Sequence, residues 1–157
     1  MRLRTNKYAF FMAVLLGVSA FLLPLISSSA DILGASFSAK GPVMFNLIIE
    51  FLSGIFTGSI DTKQKFIIPF YIMVVLFLVS FILYILNGFG LIYNRYSRYA
   101  SYLTIAYLFV GLYAINIINS QYGITTIFGS SEVSIGSGIY LVPMIGVIYL
   151  FYLQQRI

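Results

Sequence analysis

Apolar and polar positions along this chain separate into long blocks. Tyr8 to Ile26 runs without a charge. A mixed stretch follows, and Phe66 to Leu86 then gives 21 further uncharged residues. Ala100 to Ile118 and Ile135 to Leu153 complete the set. A helix rises 1.5 Å per residue, so about 20 apolar residues cross a hydrocarbon core of roughly 30 Å. The pattern predicts an all-α integral membrane protein folded as one domain over residues 1–157. Its four transmembrane helices would cover about 8–26, 66–87, 100–118 and 135–153, with outer loops at 27–65 and 119–134. A cleaved leader is the competing reading of the first block. Its 19 apolar residues exceed the roughly 7–15 of a signal core, so a retained helix is expected.

The loops carry patterns of their own. Ser27-Ser28-Ser29 reads as a polar exit from the membrane, and Asp31 to Ala39 as one short strand. Gly41-Pro42 then precedes a run that stops at Gly58, and Pro at a first helical position with Gly beyond the last turn are start and stop signals. Asn46, Glu50, Ser53 and Thr57 fall on one narrow polar stripe of that helix, with apolar residues on its other faces. This is the composition of an extracellular interfacial helix lying on the bundle's outer end. The alternatives are a re-entrant segment or a fifth span. In the second outer loop, Ile124 to Phe128 and Glu132 to Ile135 flank Gly129-Ser130-Ser131, which reads as a short β-hairpin packed on the first loop. Pro143 falls inside the last span, where a kink is expected.

Between the second and third spans lies a basic turn, Ile92 to Tyr102. Tyr93, Tyr96, Tyr99 and Tyr102 recur there beside Arg95 and Arg98, as a membrane–water interface favours. The third span is the least apolar. Ala100, Thr104, Gly111 and Ala114 are small and fall near one face, which predicts close helix packing and makes this the helix enclosed by the others; a homodimer face is the rival reading.

Charge sets the orientation. With four spans, Arg2, Arg4, Lys7, Arg95, Arg98 and Arg156 share one side with no acid. Lys40, Lys63 and Lys65 lie on the other with Asp31, Glu50, Asp61 and Glu132. The excess of Lys and Arg marks the cytoplasmic side, so both termini are expected inside the plasma membrane, with these six residues as cytoplasmic anchors. The net charge of +5 then reflects topology, and no nucleic-acid partner is expected.

Composition narrows the chemistry. The chain has no Cys, His or Trp, which removes disulfides, thiol chemistry, the usual haem ligand and the usual general base. No Asp, Glu, Lys or Arg falls within a span, where such a residue would be the default flag for an ion or proton path. Ser19, Ser80, Thr104 and Asn116 are the polar residues left there, and helix–helix hydrogen bonding is their expected role. The four carboxylates show no local pairing. No catalytic residue, metal site or cofactor is expected. The leading reading is a non-catalytic accessory or scaffold subunit of a larger membrane complex, with other membrane subunits or a second copy as partner besides the lipid bilayer. The alternative is a small-molecule or lipid conduit lined by residues 42–58. The short basic N-terminus, long first outer loop, tight inner turn and shorter second outer loop resemble the claudin-type tetraspan layout. That family carries a Trp and paired Cys in its first loop, which this chain lacks, so the resemblance is one of topology and transfers neither residue nor function.

Overall fold

The computed structural model describes residues 5–32, 35–58, 67–122, 124–126 and 129–154. In chain order the elements are α1 (Lys7–Leu22), β1 (Ile26–Ile32), β2 (Ala35–Lys40), α2 (Met44–Thr57), α3 (Ile67–Gly88), α4 (Asn94–Tyr122), β3 (Ile124–Thr126), β4 (Gly129–Ile135) and α5 (Ser137–Gln154). Three helices, α3, α4 and α5, are long and apolar enough to cross a bilayer, and the chain is a membrane protein on that ground. The helix α1 is apolar but shorter, at 16 residues.

Four helices close into a ring in which α1 packs on α3, α3 on α4, α4 on α5 and α5 on α1. Hydrogen bonds at the ends fix their directions. The Asn6 N–H donates to Gly88 O, joining the start of α1 to the end of α3. The Gly138 N–H donates to Pro24 O, joining the chain just past α1 to the start of α5. Every neighbouring pair is therefore antiparallel. The ring has a basic end, at Asn6 and the α3–α4 turn, and a sheet end, where the strands lie. Its interior is filled by Leu16, Met73, Val74, Tyr84, Tyr107, Val142 and Tyr149, all essentially without exposure. The outward faces present residues such as Phe11, Ile72, Phe109 and Ile148, as a lipid-facing surface does.

Several expectations are corrected. The basic turn is shorter than Ile92–Tyr102, because α4 already begins at Asn94 and carries Arg95 and Arg98 in its first two turns. At 29 residues α4 is about 43 Å long, more than a bilayer needs, and its first turns pack within the ring, with Ser97 and Ala100 buried. The third span is not the enclosed helix. In a ring each helix has two neighbours, and the buried share of the most apolar stretch is 39% in both α3 and α4 against 44% in α5. Ala100, Thr104, Gly111 and Ala114 are nonetheless all buried. The helix of the first apolar block ends at Leu22, since Ile26 belongs to β1, and the last span begins at Ser137, since Ile135 belongs to β4. Pro143 does lie inside α5.

The loops differ most. Ser27–Ser29, expected as a polar exit from the membrane, are strand residues. They form the middle of β1, and residues 26–40 give two strands where one was expected. The four strands form a single antiparallel sheet in the order β2-β1-β4-β3. Gly129 pairs with Thr126 as the first residue of β4, so Gly129–Ser131 are strand residues and not the expected turn. The two outer loops do meet, but by strand pairing: β1 and β4 lie in register from Ile26↔Ile135 to Ile32↔Gly129. Pro42 is not a first helical residue. Its carbonyl accepts from the Leu25 N–H, Val43 is the extended N-cap, and α2 starts at Met44. Gly58 does end α2, in the left-handed conformation at φ 64°, which a residue without Cβ adopts freely.

A candidate interaction surface at the sheet end

The sheet end is assembled from segments that are unremarkable singly. The chain leaves α1 at Leu23 and enters β1, while β4 enters α5 at Gly136. The two junctions are bonded together by the Gly136 N–H to Leu25 O at 2.8 Å and the Gly138 N–H to Pro24 O at 2.9 Å. Leu25 is buried, and Ile26 and Ile135 pack against the core, so the base of the sheet rests on the helix ring. Farther out, Ser28, Ser29, Glu132 and Ser134 are exposed, and the hydroxyls of Ser27 and Ser134 meet at 2.8 Å across the strands.

The two edges of this sheet differ. Beside β3, which pairs only with residues 129–131, the backbone of Val133 is met by a side chain instead: Asn119 donates to Val133 O at 2.8 Å and accepts from the Val133 N–H at 2.9 Å. One amide thus reproduces both bonds of a strand neighbour and ties the end of α4 to β4. The opposite edge is β2, an outermost strand with Ser36, Ser38, Ala39 and Lys40 exposed. An edge strand offers its alternate N–H and C=O groups to another chain.

The helix α2 completes the surface, packing beside α1 and α3. Its residues sort into three sectors, as 100° per residue requires. Met44, Leu47, Ile48, Phe51 and Gly54 face the ring, with the Phe51 ring 5.2 Å from that of Tyr71. Phe45, Ile49, Leu52 and Phe56 form a second, exposed apolar sector. Asn46, Glu50, Ser53 and Thr57 form the third, also exposed, in which Ser53 donates to Glu50 O and Thr57 to Ser53 O. A helix with its back on protein, one flank apolar and the other polar suits the boundary between hydrocarbon and water.

At the basic end lies a buried polar cluster. Asn6 caps α1, accepting from the N–H groups of Tyr8 and Ala9. Its amide nitrogen lies 2.9 Å from Asn87 Oδ1, 2.9 Å from the Tyr149 hydroxyl and 3.2 Å from Asn94 Oδ1, so two N–H groups are shared among three acceptors. The Tyr149 hydroxyl donates to Asn87 Oδ1 at 3.0 Å and meets Ser97 Oγ at 2.9 Å. Asn87 donates to Asn94 Oδ1 and to Ile92 O. One turn deeper, Tyr84 meets Ser101 at 2.8 Å. The cluster joins α1, α3, α4 and α5, and its members are mutually satisfied. It holds the ring together and presents no free group to a ligand.

The sequence-derived residues divide accordingly. Lys7 and Arg95 are exposed and Arg98 half-buried; Arg95 lies 4.9 Å above the Tyr96 ring. Arg2, Arg4 and Arg156 lie outside the described residues. Ser19 and Thr104 bond back to their own helices, at Leu16 O and Ser101 O. Ser80 alone of the four polar span residues reaches a second helix, at Ala100 O, and Asn116 is exposed. Among the described residues no three of Asp and Glu gather into a metal-ligand group. The amides Asn6, Asn87, Asn94 and Asn119 were not anticipated. The capping position of Asn6 before an apolar run was a legible signal, but their partners lie up to 143 residues away. Comparison with protein families, curated proteins and solved structures returned no match.

Proposed function

We propose that the chain is a non-catalytic, four-span plasma-membrane protein, an accessory or scaffold subunit that holds a partner at its sheet end. The observation that carries this reading is the β2 edge: on the other side Asn119 takes the place of a strand neighbour at Val133, beyond the end of β3, while β2 is an outermost strand of six residues with no further strand beside it among the described residues. The fourth crossing is supported by α1 being bonded at one end to the close of α3 and at the other to the start of α5. At 1.5 Å per residue its 16 residues cover about 24 Å, and the extended Leu23–Leu25 adds the remainder. The excess of Lys and Arg at the basic end supports a cytoplasmic position for that end and, with it, for both termini. The filled interior, with Tyr84, Tyr107 and Tyr149 fully buried, favours a scaffold over a conduit.

Two experiments test this. In mild detergent, the tagged protein is expected to co-purify with other membrane subunits in fixed ratio. Ser38→Glu on the open edge should release them at unchanged melting temperature. Recovery of a stable homo-oligomer that supports ligand flux, with no other subunit, would contradict the scaffold reading. For α2, Glu50→Gln should shift stability by under about 0.5 kcal/mol, because an interfacial α2 keeps this exposed carboxylate in water. Ile48→Asp, which directs a charge at the ring, should prevent accumulation. A large loss from Glu50→Gln, with a C-terminal reporter active only outside the cell, would instead make α2 a fifth span.

A further inference from the structure

We infer that the groove between α1 and α3 at the basic end binds an anionic phospholipid, with an acyl chain between the helices and the phosphate on Lys7. The groove holds about 520 Å³ and is lined by Lys7, Phe10, Phe11, Val14, Gly88 and Phe89. That lies within the range of roughly 300–1,000 Å³ seen for small-ligand sites. Its floor is a close helix contact: a Cβ on Gly88 would lie 2.9 Å from Phe10 Cβ and 3.1 Å from Phe10 Cα. The Phe10 and Phe89 rings meet edge to face at 5.7 Å and close one wall. Phe10, Phe11, Val14 and Phe89 all remain substantially exposed, so this wall faces lipid.

Lys7 decides which lipid. It sits at the first position of α1, one turn before Phe10 and Phe11, at the mouth of an otherwise apolar groove. A cation at a helix N-terminus opposes the helix dipole, so Lys7 does not stabilise α1 by being there. Among the described residues no acid lies near it: Asp31 and Glu132 are in the strands and Glu50 is in α2, at the sheet end. An apolar slot with an unneutralised amine at its interfacial end matches a negatively charged headgroup on an acyl chain. The assignment rests on the proposed orientation only in placing the lipid in the cytoplasmic leaflet; the site itself needs only the membrane.

The test is lipid retention by the purified full-length protein in mild detergent, read by native mass spectrometry. The probes are phosphatidylglycerol and phosphatidylcholine with identical chains. One lysine at a membrane surface contributes about 1 kcal/mol, which is roughly a fivefold preference for phosphatidylglycerol. Lys7→Gln should remove the preference, Lys7→Arg should keep it, and Lys40→Gln at the sheet end should leave it unchanged. Val14→Trp should fill the groove and lower retention of both lipids. Inorganic phosphate at constant ionic strength should not displace the bound lipid. Equal retention of the two lipids by the unaltered protein, a preference that survives Lys7→Gln, or displacement by phosphate would each overturn the site. The orientation stands or falls separately, with the reporter fusion.

Discussion

Gly136→Ala is expected to abolish recovery of folded protein. A Cβ at this position would overlap Pro24 O and would lie 2.6 Å from Leu25 C and 2.8 Å from Ile26 N. All three are backbone atoms, so no side chain can rotate aside. The chain would have to part where β4 enters α5 and where α1 enters β1. That separation breaks the Gly136 N–H to Leu25 O bond and strains the neighbouring Gly138 N–H to Pro24 O bond. Overpacking of an ordinary core costs about 1–3 kcal/mol. Here the neighbours cannot yield, so the cost should reach or pass the top of that range. Gly58→Ala is the matched control. No atom lies within 4 Å of the added Cβ, and the penalty is that of a left-handed residue, about 1–2 kcal/mol. Melting temperature and yield in detergent separate the two. A Gly136→Ala protein as stable as the unaltered one would remove the junction from the account.

Asn87→Leu should be nearly as damaging, from the other end of the ring. Asn87 accepts from Asn6 and from the Tyr149 hydroxyl and donates to Asn94 Oδ1 and Ile92 O. Leucine has similar bulk and none of these groups. At least two buried partners lose a bond at roughly 1–3 kcal/mol each, so a loss of about 2–6 kcal/mol is expected. The cluster also predicts coupling. Tyr149→Phe removes the hydroxyl that bonds Asn87, Asn6 and Ser97, so the double variant should cost less than the sum of the single ones. Strictly additive losses would mean that the amides act independently.

The apolar blocks were legible because a hydrocarbon core imposes both length and composition on any helix within it. The amphipathic run of α2 was legible for a related reason, since its polar stripe repeats with helical spacing. The sheet was not. β1 reads ISSSADI, with serines where strand-forming residues would normally give the signal, and its partner β4 lies about a hundred residues away. Its strand character comes from that pairing. The basic turn was drawn too long because Arg and Tyr mark an interface as well on a helix as in a loop, and α4 simply extends through it. The small residues of α4 were found by spacing, but their burial does not make α4 central: a ring gives every helix a packed side and an open one. The amide cluster could not be read locally, because residues 6, 87, 94 and 149 meet only once the four helices close.

The central claim is that the two outer segments form one sheet across β1 and β4, and a cysteine-free chain allows a direct measurement. Ser27 and Ser134 are register partners whose hydroxyls lie 2.8 Å apart, so Ser27→Cys with Ser134→Cys places two thiols on the same face within bonding reach. Ser27→Cys with Val133→Cys places them on opposite faces of adjacent strands. After mild oxidation and denaturation, maleimide mass-tagging of the monomer band counts the thiols left free. The account predicts that the first pair is protected and the second labels fully. Equal labelling of the two pairs would contradict it.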